Sequence, residues 1–271
     1  MGTTKKFAKS FIHKFLKDKV TLLAAGQAYY YLLSILPLLV IGFAIIPYLN
    51  LQTSQAVQFL DTIVPGKLAS VFEKDISKFI ETPHGGILTI AIIGVFWTAS
   101  NAMNALIKSI NIVYEVKEAR PILKVRILAT ALTLGMLLAL IFAMFIPVFG
   151  SALLGFIKNH LSVSSSFINL FHALRWVIGF ILLTLFLIIL YRLAPSMKLP
   201  IYYIIPGALT ASILWEITSF GFSFYVTHFG NYSAVYGGLG GIIIIMIWFF
   251  LTGVTLMIGA MVNILIYEFK H

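Results

Sequence analysis

The sequence predicts an all-α, polytopic membrane protein: a six-transmembrane-helix bundle with amphipathic helices at the membrane interface. Of the 271 residues, 60% are hydrophobic and only 10% are charged, whereas a soluble domain carries about 25% charged residues. Several apolar runs reach the length of about 20 residues that a helix needs to cross a bilayer. Backbone groups in lipid must be hydrogen-bonded within their own segment, so these runs are predicted to be helices. The whole chain, residues 1–271, is predicted to be a single membrane domain.

Six stretches are long and apolar enough to span the membrane. The predicted spans are residues 24–49, 87–107, 127–150, 174–193, 201–226 and 239–267. The fourth is the shortest of the six. The sixth is longer than a bilayer requires, so it must tilt, bend or protrude.

Two further segments have the pattern of amphipathic helices. In Lys5–Lys19, apolar side chains recur at helical spacing and most of the lysines lie on the other faces. That pattern is typical of a cytoplasmic helix on an anionic membrane surface, and the alternative is a simple topology anchor. The connection 50–86 contains a second apolar stripe at helical spacing, which predicts an external interfacial helix or a cap over the bundle.

The lysines and arginines are distributed unevenly between the predicted connections. Of the 19, 14 fall on the side of the bundle that carries both termini, and five fall on the opposite side. Basic residues accumulate in cytoplasmic loops. Both termini are therefore predicted to lie in the cytoplasm, and the high positive charge is explained by topology rather than by nucleic-acid binding.

Glu216 is the one charged residue in the predicted fifth span. An ionisable side chain near the middle of a membrane is costly and usually faces protein or a water-filled cavity. Ser212 lies four residues before it, and Ser219 and Ser223 lie three and seven residues after it, on the same face of a helix. This face is predicted to be a polar stripe facing the interior of the bundle.

Similar stripes are predicted on three other spans, and together they define a candidate cavity. Its residues are Glu216, Asn101, Asn104, Ser212, Ser219, Gln27 and Asn263. The stripe of the second span runs from Asn101 and Asn104 down to Asn111 at the cytoplasmic end. A candidate external mouth follows the fifth span and consists of Tyr232, Tyr236, Gly237 and Gly238. The alternative is that these small and polar residues serve helix packing, where they permit close approach and hydrogen-bond across the interface.

Several kinds of chemistry have no counterpart in the sequence. Cysteine is absent, so a disulfide and a thiolate metal site are excluded. No Gly-rich phosphate loop is present, and no two of the six histidines have metal-ligand spacing on one helix. The spans contain no Ser-His-Asp set or pair of aspartates. We therefore expect no enzyme activity, catalytic residue, cofactor, metal or nucleic-acid partner.

Several blocks of the chain resemble one known family, the YihY/BrkB proteins of the bacterial inner membrane. The first two blocks are AAGQAYYYLLSILPLLV at Ala24–Val40 and WTASNAMNALIKSINIVYEV at Trp97–Val116. The closing blocks are PGALTASILWEITSFGFSFYV at Pro206–Val226, YSAVYGGLGGIIIIMIWFF at Tyr232–Phe250, and GAMVN at Gly259–Asn263. One departure is Met261, where family members often carry an acidic residue.

The resemblance implies six helices, cytoplasmic termini and location in the bacterial plasma membrane. It also implies links to envelope integrity and to transport, including that of lipids, whereas an older ribonuclease label of the family finds no support in these residues. The expected function is a transporter or a lipid- or amphiphile-handling protein of the cell envelope, with membrane lipids as partners. The alternative is an envelope scaffold without a permeation path.

Overall fold

The computed structural model describes residues 2–45, 85–139, 165–229 and 240–270. These residues form seven α-helices and no strand. The helices are α1 (Gly2–Lys17), α2 (Val20–Ile45), α3 (Gly85–Val113), α4 (Ile122–Ala139), α5 (Ser165–Leu193), α6 (Ile201–Phe229) and α7 (Gly240–Glu268). The prediction of an all-α protein is therefore confirmed for the described residues. The predicted external connection 50–86 lies outside them, except that Gly85 and Gly86 begin α3.

Three of the described helices are long and apolar enough to cross a membrane. They are Ile122–Ala139, Ile201–His228 and Gly240–Glu268. Two shorter apolar segments, Val20–Ile35 and Val177–Leu193, lie within α2 and α5. The prediction of membrane-spanning helices is thus confirmed, and the number of six remains a prediction.

The chain divides into two compact units, each assembled from separate stretches of sequence. The first unit comprises Met1–Val20, Leu106–Glu216 and Thr255–His271, and the second comprises Thr21–Ala105 and Ile217–Val254. Each unit therefore has to hold together helices that are distant in the chain. The contacts that do so differ between the two.

In the first unit, α6 and α7 cross at two glycines. A Cβ atom placed on Gly207 would lie 2.1 Å from the carbonyl oxygen of Gly259, so no larger residue fits there. The N–H of Gly207 donates to Oδ1 of Asn263 at 2.8 Å, and the Tyr191 hydroxyl donates to the carbonyl of Leu256 at 2.7 Å. Small residues and interhelical hydrogen bonds are what hold helices together in lipid, where burial of apolar side chains supplies little.

The first unit also holds the N-terminal helix. Lys14 of α1 is buried, and its Nζ lies 2.8 Å from Oε1 of Glu115 and 3.4 Å from Oδ2 of Asp18. Hydrogen bonds from Lys14 and Lys17 lower the pKa of Glu115 to about 2, so this carboxylate is charged at neutral pH. The segment predicted as an amphipathic helix is confirmed as a helix. Two of its lysines, however, face protein.

In the second unit, α2 and α7 approach closely. A Cβ atom on Gly253 would lie 3.1 Å from the Cα atom of Ala24, and the rings of Tyr31 and Phe249 meet edge to face at 5.5 Å between centroids. A small residue therefore again marks a close helix contact. This contact fixes the position of α2, which carries Gln27.

The glycine crossing in the first unit gives a direct test of the packing. In Gly207→Ala, the new methyl group meets backbone and the Asn263 side chain, neither of which can move aside cheaply. We expect the variant to lose about 3 kcal/mol of stability or more, measured as a lower midpoint of thermal unfolding of the detergent-purified protein. In the control Gly179→Ala the methyl group enters open space, and the change should stay within about 1 kcal/mol. Equal midpoints for the two variants would contradict the crossing.

Candidate functional site

The seven predicted cavity residues are divided between the two units. Ser212, Glu216 and Asn263 belong to the first unit, whereas Gln27, Asn101, Asn104 and Ser219 belong to the second. The candidate external mouth, Tyr232, Tyr236, Gly237 and Gly238, lies outside the described residues. The site is therefore described unit by unit.

Two of the seven side chains have interaction partners and leave no buried polar atom unpaired among the described residues. The Ser212 hydroxyl donates to the carbonyl of Ala208 and accepts from the hydroxyl of Thr184, both at 2.9 Å. This places Ser212 in the contact between α5 and α6 of the first unit, where it is fully buried. Asn101 of the second unit is half-buried and also has an interaction partner. Both fit the packing interpretation of polar stripes.

Four of the seven carry a buried polar atom for which no described protein group lies in hydrogen-bond geometry. The atoms are Nε2 of Gln27, Oδ1 of Asn104, Oγ of Ser219 and Nδ2 of Asn263. Gln27 and Asn263 are completely buried, yet each uses only its amide oxygen, which accepts from Tyr31 and Gly207 respectively. A buried polar atom left unpaired costs about 1–3 kcal/mol. Such atoms are rare in folded proteins, and each of them requires an explanation.

Glu216 has a different environment from these four. Its side chain is half-buried, and within the described residues it makes no hydrogen bond or ion pair. Further along the same predicted stripe, Ser219 is half-buried and Ser223 is exposed. The stripe therefore becomes progressively more exposed from Ser212 onward.

An open groove of about 420 Å³ lies on the second unit between α6 and α7. Its lining is mostly apolar and consists of Thr218, Gly221, Phe222, Tyr225, Ile247 and Leu251. Gly221 has nothing within 4 Å of the position of a Cβ atom, so its lack of a side chain leaves part of the space open. Ser219, with its unpartnered hydroxyl, is adjacent in sequence to the first lining residue.

A polar network beside the end of α3 was not predicted as a unit. Asn111, which the sequence assigns to the polar stripe of α3, is buried; it accepts the N–H of Ser196 at 2.8 Å and donates to Glu118 at 2.9 Å. Arg120 pairs with Glu118 at 2.6 Å and, with Asn111, lowers the pKa of that carboxyl to about 2. The run of charged residues after α3 is the only sign of this network in the sequence. The groups that Asn111 and Arg120 bind across the fold lie more than 70 residues away in the chain.

Tyr114 is a second polar residue that sequence reasoning missed. It follows α3 and is buried in the first unit, where its hydroxyl lies beside the Asn263 side chain and interacts with it. Among the described residues, no group of three or more His, Asp or Glu side chains could hold a metal ion. The absence of a metal site and of catalytic residues stays a prediction.

The comparison with known proteins covers nearly the whole chain. The sequence profile of the family described as "Virulence factor BrkB" matches residues 11–271. A protein of Bacillus subtilis (strain 168), YfkH, whose name describes it as ribonuclease-like, is 36% identical over 247 residues, which are 91% of this chain and 90% of that protein. No solved structure matches.

Other relatives carry the name "UPF0761 membrane protein". The one from Pseudoalteromonas atlantica is 25% identical over 98% of this chain and 87% of its own length. The one from Xanthomonas campestris pv. campestris (strain B100) is 28% identical over 95% of this chain, which spans only 60% of that longer relative. The extent of the profile match and the similarity to YfkH confirm the resemblance seen in the sequence blocks: the chain is a helical membrane protein and belongs to the BrkB family.

Proposed function

We propose that this chain transports or otherwise handles a lipid or another amphiphile in the bacterial cell envelope. The observation that supports this most strongly is a set of three buried polar atoms of the second unit that have no hydrogen-bond partner among the described residues: Gln27 Nε2, Asn104 Oδ1 and Ser219 Oγ. A polar group of a passing molecule, or water in its path, would satisfy them. The cost of leaving them unpaired within the protein then has a functional reason.

The second unit offers both kinds of hydrogen-bonding group to such a ligand. Gln27 has an amide N–H₂ to donate, Asn104 has a carbonyl oxygen to accept, and the Ser219 hydroxyl can do either. These residues come from three different helices. A headgroup that carries both donors and acceptors would match this set better than a simple ion does.

The same unit also offers a place for an apolar chain. The groove of about 420 Å³ between α6 and α7 falls within the size range of small-molecule sites and has a mostly apolar lining. Polar atoms and an apolar groove within one unit favour an amphiphile over a small hydrophilic solute. Glu216, which precedes the groove residues on α6, is proposed to bind a cation or a proton or to order the headgroup.

The proposal includes contact of α1 with the anionic cytoplasmic leaflet. Lys14 and Lys17 are engaged with Glu115, which leaves Lys5, Lys6 and Lys9 exposed for lipid headgroups. Ile12 and Leu16, one helical turn apart, are exposed as well and would enter the interface. The proposal also puts both termini in the cytoplasm and includes no nucleic-acid partner and no catalytic step.

The second candidate function is an envelope scaffold without a permeation path. Two contacts favour it. The Ser212 hydroxyl both donates and accepts a hydrogen bond within the protein, and the amide oxygen of Asn263 accepts the N–H of Gly207. Both behave as packing contacts between helices. The two functions therefore differ in what they predict for the unpaired atoms.

Stability measurements separate the two classes of serine. Ser212→Ala removes two hydrogen bonds and should cost about 0.6 kcal/mol or more. Ser219→Ala removes a buried hydroxyl that has no hydrogen-bond partner among the described residues, so it should be neutral or stabilising. Midpoints of thermal unfolding in detergent provide the comparison. If Ser219→Ala costs as much as Ser212→Ala, the hydroxyl has a protein partner and the scaffold is favoured.

Lipid movement in reconstituted vesicles tests transport itself. Vesicles that contain the purified chain and a fluorescent phospholipid are treated with a membrane-impermeant quencher, and the rate at which inner-leaflet lipid becomes accessible is measured. We expect Glu216→Gln and Asn104→Leu each to slow this movement about tenfold, since each removes one strong interaction worth roughly 1.4 kcal/mol.

The matched control is Glu268→Gln, which removes an exposed carboxylate at the end of α7. It should move lipid at the wild-type rate. Wild-type vesicles no faster than protein-free ones would count against transport of lipid. Wild-type rates in both test variants would remove Glu216 and Asn104 from the pathway.

A further inference from the structure

Three basic side chains meet where two connections of the first unit are joined. Arg120 lies in the connection between α3 and α4, and its guanidinium donates to the carbonyls of Leu193 at 3.1 Å and Ala194 at 2.7 Å. Arg192, at the end of α5, donates to the carbonyl of Leu199. Lys198 is the neighbour of Leu199. All three positive groups are thus held along the short segment that joins α5 to α6.

The joint between the two connections is well bonded. In addition to the Arg120 contacts, the N–H of Ser196 donates to Asn111 at 2.8 Å, and the N–H of Ala119 donates to the Ser196 hydroxyl at 3.4 Å. The backbone that carries the basic groups is therefore tied on both sides. A charged cluster on such a framework is pre-organised for a ligand, because little ordering remains to be done on binding.

Protein carboxylates do not neutralise this cluster. Glu118 pairs with Arg120, and within the described residues neither Arg192 nor Lys198 has an anionic partner. Three cations and one carboxylate leave two positive charges. Although the Lys198 side chain is exposed, desolvation by surrounding residues and then the charges of Arg120 and Arg192 lower its pKa.

The surroundings of the cluster indicate where its ligand comes from. The helices that start directly after the two connections begin with large exposed apolar residues: Ile122 is 90% exposed and Leu123 71%, and Ile201 and Tyr202 are exposed as well. Exposed apolar side chains at the ends of membrane helices belong in the interface with lipid. The basic groups are then at the depth of lipid headgroups. The starts of α4 and α6 add the positive ends of two helix dipoles.

We propose that Lys198, Arg192 and Arg120 form a binding site for a phosphate group, carried by an anionic lipid at the cytoplasmic leaflet. Arginine and lysine together suit this ligand because the guanidinium binds phosphate oxygens in pairs and the ammonium acts as a point charge. Arg120 is largely engaged by Glu118 and by backbone, so Lys198 and Arg192 make the main contacts. The site is independent of the proposed transport function.

Binding of single lipids to the intact, detergent-purified chain tests the site. Native mass spectrometry measures the affinity for phosphatidylglycerol and for phosphatidylcholine, each with and without inorganic phosphate as competitor. We expect phosphatidylglycerol to bind more tightly, and Lys198→Gln and Arg192→Gln each to weaken that binding about tenfold. Lys198→Arg keeps the charge and should bind within about threefold of wild type. Raising the salt concentration should weaken binding by wild type more than by Lys198→Gln.

Competition with inorganic phosphate distinguishes a lipid headgroup from free phosphate as the ligand, and a separate variant tests whether the lipid binds at the proposed site. Displacement of the lipid by inorganic phosphate would show a site for phosphate of either source, and failure to displace it would show a site for the lipid headgroup. Lys270→Gln changes an exposed lysine after α7 and should weaken binding less than threefold. The proposal is overturned if Lys198→Gln and Arg192→Gln bind phosphatidylglycerol like wild type, or if Lys270→Gln weakens binding as much as they do.

Discussion

The approach of α6 to α7 at Gly207 and Gly259 is the constraint on which the first unit depends. In lipid, helices gain little from burying apolar side chains against one another, so close backbone contact and hydrogen bonds must hold them. Pro206 has no N–H and loosens the helix locally, and the N–H of the next residue, Gly207, donates to Asn263. This one bond fixes α6 against α7 and sets the orientation of the Asn263 amide.

Polar residues in the apolar helices of this chain therefore fall into two groups. The hydroxyls of Ser212 and Thr184 hydrogen-bond to each other and to helix carbonyls, as in packing contacts. Gln27, Asn104 and Ser219 keep a polar atom free although it is buried. A scaffold has no reason to tolerate that cost, whereas a protein that passes a polar headgroup has one. Whether an atom is bonded thus says more about function than whether a residue is polar.

Much of this could be predicted from sequence, and the remainder has a physical reason for being hidden. The apolar runs predicted the helices because lipid leaves the backbone no alternative, and Lys5–Lys19 predicted α1. Met261 is completely buried and lies two positions from each of the crossing residues Gly259 and Asn263 in the chain, so an apolar side chain suits its position.

Side-chain partners could not be predicted in the same way. The sequence predicts Asn111 only as a member of a polar stripe, whereas in the structure it accepts a hydrogen bond from the N–H of Ser196, 85 residues later. Nothing in the spacing separates bonded Ser212 from unbonded Ser219, since both occupy the same predicted face of one helix. The sequence predicts that Lys14 contacts lipid headgroups, but its side chain binds Glu115, 101 residues away in the chain. Such pairings follow from tertiary contacts between distant segments, which local periodicity does not encode.

The most direct test is an experimental structure of the chain in lipid nanodiscs, at a resolution that shows bound water and acyl chains. A protein that handles an amphiphile should show density not belonging to the protein within hydrogen-bond distance of Gln27 Nε2, Asn104 Oδ1 or Ser219 Oγ, and an acyl chain in the groove at Gly221. If those three atoms are instead all bonded to protein groups and no such density lies beside them, the polar residues serve packing alone and the transport proposal is contradicted.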